Sequence, residues 1–410
     1  MSVPLELQQT LERMARQYPW YALEADGKQL DGGGEWERLP LITASLLEKH
    51  YYSDHNPLSK RDDLNRYQTS GTSSNRRKTI FYSEADEEAY MRIKLDVFRH
   101  IVGYGGFHRA LADMGTGHAE ATAVGVFRRL GMEVESVSFR LPIARHLDRL
   151  AQFRPEVLYT MPSILDRILL ASEDPTVYGI RHVILVGEMA SPVWIQRAAE
   201  QLGLNVQQIT DTYGSIEIGT IAYFSHEHGR YLLTEGLLAE GIAAEDIGEH
   251  LEPLVEADEQ VLVLTSTLRE AFPAIRYVTY DIVRDMRPIL VDGVLRQSFH
   301  SVVKRIGPDL KHGEKISIYD IEDVVYRHLN AASVRVKVTG NALSVSIYSP
   351  DAEGEVLKSI RSDLENRIPE IGAMIRAGIL EGIQVIGAAF DDSDHRSSVK
   401  NKKISYEVEG

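Results

Sequence analysis

Between Tyr67 and Ile80 the chain reads Tyr-Gln-Thr-Ser-Gly-Thr-Ser-Ser-Asn-Arg-Arg-Lys-Thr-Ile. Thr69, Ser70, Thr72, Ser73 and Ser74 offer hydroxyl donors, Gly71 lets the backbone bend and turn its N–H groups inward, and Arg76, Arg77 and Lys78 add positive charge. Such a loop can hold a chain of phosphates. It is not a Walker loop, because no second glycine followed by Lys and Ser or Thr is present. The same composition also makes an ordinary solvated turn.

Three other stretches carry candidate chemistry. Asp211-Thr212-Tyr213-Gly214-Ser215-Ile216-Glu217 follows a predicted strand. Gly214 there permits a tight turn, Tyr213 can stack on or bond a ligand, and Glu217 can give magnesium a hard oxygen; a strand-to-helix turn capped by Ser215 is the plainer reading. Phe272 to Asp281 ends a strand-like run on an acid that can accept two ribose hydroxyls or simply form a turn. His395 to Lys403 is a basic tail, and most such runs are solvated ends.

Elements of α/β type must position these residues. Ser83 to Ile101 has helical spacing, Val157 to Thr160 and Val183 to Val186 read as buried strands, and Gly187-Glu188 follows the second of them. Ser191 to Leu202 then reads as a helix ended by Gly203, with a strand near Val206 to Thr210. In layers of this kind ligands gather beyond the carboxyl ends of the strands. Lys304 to Gly313 has the texture of a hinge, and beyond it helix, paired strands and helix predict a small α+β domain. The expected domains are 1–305 and 306–410.

At 410 residues the chain exceeds one hydrophobic core, while 43% apolar and 26% charged residues suit a folded protein. A formal charge of -15 argues against a nucleic-acid or anionic-membrane partner. The absence of cysteine excludes disulfides, thiolate metal sites and cysteine nucleophiles. The amino-terminal stretch lacks the pattern of a signal peptide, and no run of about 18 apolar residues occurs, so a cytoplasmic protein is expected.

Taken in order, the stretches resemble the adenylate-forming superfamily, especially its phenylacetate-CoA ligase-like branch. Leu39-Pro40-Leu41-Ile42 precedes the phosphate loop, whose Thr-Ser-Gly-Thr core matches; VLYTMPSIL, LVGEMAS, DTYGSIEIG, PAIRYVTYD and RSSVKNKKI follow in the family's order. The resemblance covers nearly the whole chain. It implies a large multi-layer α/β amino-terminal domain with a small mobile α+β carboxy-terminal one. It implies an ATP- and Mg2+-dependent ligase that adenylates a carboxylic acid, an aryl acid first among candidates, then passes the acyl group to CoA or to an acyl or aryl carrier protein. A regulator that binds nucleotide on this fold without turnover is the alternative.

By matching position, the resemblance gives Thr69, Ser70, Gly71, Thr72, Ser73 and Lys78 to the ATP phosphates, Glu188 to the adenine side, and Asp211, Tyr213 and Gly214 to the nucleotide motif. Tyr213 would divide the nucleotide from the acyl pocket. Glu217 would bind magnesium, Asp281 the ribose, and Lys400 the reacting carboxylate and α-phosphate. Phe107, His108, Met114, His118 and Tyr159 are candidates for the acyl pocket. The chain departs from the family at Tyr280, where glycine is usual, at Ser74, and through the hinge after Arg305. No paired cysteines precede that hinge, so no structural zinc is expected.

Overall fold

The computed structural model of the protein describes residues 5–24, 39–68, 78–103, 105–114, 118–249, 251, 253–254, 256–307, 317–339, 342–376, 378, 380–389 and 404–407. The chain divides into two units, Met1–Val97 with Tyr213–Pro308, and Phe98–Thr212 with Asp309–Gly410.

Short apolar runs separated by amphipathic helices dictate the second unit. Val157–Thr160 and His182–Val186 are strands with almost every side chain buried, as parallel strands covered on both faces must be. With Ile209–Ser215, Arg109–Asp113 and Glu133–Val137 they form a parallel layer. Its spatial order runs from the strand at 209 through those at 182, 157 and 109 to that at 133. The strand at 109 lies between those at 133 and 157, so the winding reverses beside the carboxyl ends of Asp113 and Thr160.

The connecting helices stop and start where local chemistry tells them to. Pro192–Leu202 begins under the Ser191 hydroxyl, which accepts the Trp194 N–H, and ends at Gly203 with φ 67.

In the same unit, the carboxy-terminal chain builds helix Ile318–Tyr326, the hairpin Ser333–Thr339 with Ala342–Tyr348, and helix Gly354–Arg367. Strands Gly382–Ala388 and Ile404–Glu407 flank the hairpin in parallel. This small α+β body rests on the helices of the parallel layer through polar pairs. Asp166 accepts the Trp194 indole N–H (2.6 Å) and the Ser333 hydroxyl (2.8 Å), and Ser191 donates to Glu322 at 2.5 Å. The Arg197 guanidinium lies 3.9 Å over the Tyr326 ring.

The first unit is antiparallel. One sheet orders Leu237–Ile242, Glu259–Ser266, Tyr277–Arg284 and Ser301–Arg305 side by side. A second run of strands pairs Gly219–Ser225 with Arg230–Leu233, then Val294–Phe299 and Arg287–Val291. Asp292 and Gly293, both at positive φ, close the last hairpin. The expected hinge therefore starts late: Lys304 and Arg305 still belong to a strand, and residues 308–316 lie outside the described residues.

Candidate functional site

The site in the first unit is organised by an irregularity in strand Tyr277–Arg284. Val261 pairs with Ile282 and Val263 with Val278, so one residue on the partner strand faces three here, Thr279, Tyr280 and Asp281. A bulge of this kind re-aims a side chain. Thr279 holds it, donating its hydroxyl to the Leu262 carbonyl (2.7 Å) and accepting the Asp281 N–H (3.1 Å). The acid expected at a strand's end thus sits in mid-strand, on the bulge.

Asp281 pairs in register with Arg305, whose guanidinium lies 3.6 Å from one carboxylate oxygen; the other accepts the Tyr213 hydroxyl at 2.6 Å. The Asp281 charge, followed by those of neighbouring groups that include Glu217, holds Arg305 firmly protonated against the opposing effect of burial. Burial first, and then Asp281, push the Tyr213 phenol far above its usual range, so it remains a donor.

Glu217 follows strand Ile209–Ser215 in the turn to Gly219–Ser225. Two buried groups grip that turn. Tyr82 donates to the Ile216 carbonyl (2.7 Å), and Arg269 Nε donates to the Glu217 carbonyl (2.8 Å). Arg269 is itself buried, paired with Asp86 and stacked 3.9 Å over Tyr82.

The Glu217 carboxylate has no hydrogen-bond donor among the described residues, while its charge, second to burial, raises the phenols of Tyr52 and Tyr277. An open carboxylate beside these phenols and Arg305 fits one ligand of a magnesium ion that takes its other oxygens from phosphates and water. No cluster of three or more metal-ligating side chains occurs among the described residues.

Gly214 does something other than turn a corner. It lies within the strand at ordinary φ, and a Cβ there would fall 2.5 Å from the Gly219 carbonyl oxygen. Close backbone approach is what requires glycine here. Lys78 is bound to Glu48 (2.5 Å) and lies 4.7 Å over the Tyr52 ring. A cleft of about 260 Å³ opens beside it, lined by Glu48, Tyr52, Ser53, Arg66 and Thr79 among others.

In the second unit, Glu188 accepts both the backbone N–H and the hydroxyl of Ser163 at 2.8 Å, which ties it to the start of helix Pro162–Ala171. Asp211 is buried in its strand, opposite Leu185. Met114 and Tyr159 lie in the core towards the carboxyl ends, Tyr159 edge-on to Phe98, and His118 opens helix His118–Arg129. Phe107 and His108 instead flank the amino end of strand Arg109–Asp113, where His108 N–H bonds Glu156 and Arg181 covers Phe107. That is the edge opposite the one at which ligands gather.

Thr69, Ser70, Gly71, Thr72, Ser73 and Lys400 lie outside the described residues. Reading the sequence missed two residues that the structure brings to the site: Arg305, absorbed into the expected hinge, and Arg269, which no local pattern marks.

Residues 311–391 match the model of the fumarate–diaminopropanoate ligase C-terminal domain. Over 381 residues the chain is 34% identical to fumarate–(S)-2,3-diaminopropanoate ligase of Enterobacter agglomerans, covering 93% of this chain and 94% of that protein. Its fold is similar to that of 2-hydroxyisobutyryl-CoA ligase in the postadenylation state in complex with R3-HIB-AMP. There the TM-score is 0.73 at 15% identity, over 98% of this chain and 88% of the other. The amide bond synthetase McbA from Marinactinospora thermotolerans gives a TM-score of 0.50 at 14% identity, over 78% of this chain and 64% of the other.

Fold and likeness together define a ligase of the adenylate-forming type, with the α/β body and small carboxy-terminal domain expected of it. The chain belongs to the fumarate–diaminopropanoate ligase family of these enzymes. No helix among the described residues is long and apolar enough to cross a membrane.

Proposed function

We propose that this ligase uses ATP and Mg2+ to activate a small dicarboxylic acid of the fumarate type and joins it in amide linkage to an amino group of a diamino acid. The identity of 34% across nearly the full length of both chains, with a fumarate–diaminopropanoate ligase, carries this reading. An acid carboxylate oxygen attacks the α-phosphorus of ATP and pyrophosphate leaves. The amine nitrogen then attacks the acyl carbon, AMP leaves, and the nitrogen gives up a proton. An amine acceptor takes precedence here over CoA or a carrier thiol, and a small dicarboxylate over an aryl acid.

Each residue of this chain has a physical task in that scheme. Thr69, Ser70, Gly71, Thr72, Ser73 and Lys78 hold phosphates, Glu188 and Asp211 serve the nucleotide side, and Asp281, kept in place by Tyr213, accepts the ribose hydroxyls. Glu217 would hold magnesium, which when bound offsets the negative charge of the phosphates. Lys400 neutralises the repulsion between the incoming carboxylate and the α-phosphate.

The test is acid-dependent exchange of pyrophosphate into ATP, with fumarate, other dicarboxylates and aryl acids. Mass spectrometry then follows the product when 2,3-diaminopropanoate, other amino acids or CoA is added. Exchange with fumarate, an amide product, and loss of exchange in Lys400→Ala are expected. Product only with CoA would move the acceptor back to a thiol, and ATP binding without exchange on any acid would leave a regulator.

A further inference from the structure

Tyr280 stands where the resemblance to the adenylate-forming superfamily leads one to expect glycine, and its φ of 63 is a conformation that glycine adopts without cost. A bulky residue in the left-handed region is uncommon and strained. This one is also buried, at 5% exposure, in the core of Ile247, Val261, Val263, Val278 and Ile282.

Both ends of the residue are tied. Its carbonyl accepts the Ile306 N–H at 2.9 Å. Its hydroxyl accepts the Ala44 N–H at 2.8 Å and donates to the Glu249 carboxylate. The same carboxylate accepts the Ser45 N–H at 3.1 Å and the Ser45 hydroxyl. Ala44 and Ser45 come two and three residues after Ile42, which is laid along the strand by its bonds with Arg276 and Val278 at 3.0 Å. Tyr280 is thus tied to three separate stretches of chain, two through its phenol and one through its carbonyl, one residue before Asp281.

We infer that Tyr280 is a positioning residue for nucleotide binding: its hydroxyl latch on Ala44 and Glu249 holds the left-handed bulge that points Asp281 at its ligand, replacing by side-chain bonds the conformational freedom that glycine supplies. The inference rests on the reading of Asp281 as the ribose-binding acid. It requires that backbone conformation at 280, and not the volume of the side chain, sets the position of Asp281. Phenylalanine keeps the volume and the strain but loses the latch. Alanine loses volume and latch and keeps much of the strain. Glycine loses volume and latch but adopts φ 63 without cost.

The experiment compares Tyr280→Phe, Tyr280→Ala and Tyr280→Gly with the parent in pyrophosphate exchange, reading KM for ATP apart from kcat, with a thermal melt for each. Tyr280→Phe and Tyr280→Ala are expected to raise KM for ATP about tenfold, the scale of one strained residue relaxing, with kcat within about twofold. Tyr280→Gly should stay within about threefold of the parent KM although, having lost the buried ring and its bonds, it melts below the parent.

Equal KM values for the Gly and Ala variants, or an unchanged KM in Tyr280→Phe, would overturn the inference. Asp281→Asn is the separate control: if it leaves KM for ATP unchanged, the ribose reading fails, whatever the Tyr280 series shows. Should a variant fold too poorly for kinetics, ATP protection of the 277–284 segment from hydrogen exchange gives the same ordering.

Discussion

Asp86→Asn should both loosen the first unit and disable the site, through one ion pair. The Asp86 carboxylate accepts the N–H groups of Ser83 (2.9 Å), Glu270 (2.7 Å) and Ala271 (3.0 Å), and it faces Arg269 with both side chains almost fully buried, at 0% and 4% exposure. Asparagine removes the charge and turns an amide towards donors, leaving a guanidinium uncompensated. Breaking a buried pair from one side costs about 3–5 kcal/mol, a large part of the roughly 5–15 kcal/mol that holds a domain folded.

Urea unfolding measures the loss, and hydrogen exchange of peptides covering 79–97 and 259–284 shows whether it falls in this unit. The double variant Asp86→Leu/Arg269→Met removes the uncompensated charge but leaves the N–H groups of Ser83, Glu270 and Ala271 without their acceptor, so it should recover only part of the stability. It should still lack activity, because the Glu217 and Phe81 carbonyls lose their Arg269 donors. A loss below about 1 kcal/mol in the single variant, or full pyrophosphate exchange in the double one, would refute the reasoning.

Two further outcomes follow from buried groups. Gly214→Ala should lower stability by about 1–3 kcal/mol and raise KM for ATP, since its Cβ would strike the Gly219 carbonyl and push Tyr213 aside; a thermal melt with exchange kinetics checks both. Burial pushes the Lys94 ammonium down to about 7, while in the unfolded chain it titrates near about 10.4. Between these values the unfolded chain binds a proton that the folded chain does not. Stability from this group therefore rises with pH across that window and is lost as pH falls towards 7. Lys94→Met should be more stable than the parent at pH 7 and should converge with it near pH 10; parallel curves of melting temperature against pH would contradict this.

What was legible in the sequence was local. Ser191 and Gly203 bracket their helix by cap chemistry that needs only a few neighbours, and Val183 to Val186 is a buried strand by composition alone. The motif order marked Tyr213, Glu217 and Asp281, and the structure brings these three together within one unit.

What was hidden depended on pairing across distance. Arg305 reaches Asp281 through a strand register that no linear spacing reveals, and its neighbours read as a hinge because Gly307 and Pro308 follow so closely. Gly214 looked like a turn, yet the constraint on it comes from the carbonyl of another strand. The departure at Tyr280 was visible as a missing glycine; its compensation, a phenol bonded to residues 44 and 249, was not.

The seat of the carboxy-terminal body on the parallel layer has a consequence for how tightly it can be gripped. Asp166, Ser191 and Glu322 meet their partners through hydrogen bonds that water can replace one for one, and Asp166 keeps the Trp194 N–H whether or not Ser333 is present. Parting such faces strands no donor or acceptor, because each is rehydrated as it opens. Directional bonds of this kind specify an angle of seating, as a keyed joint does, and leave most of the adhesion to the stack of Arg197 on Tyr326.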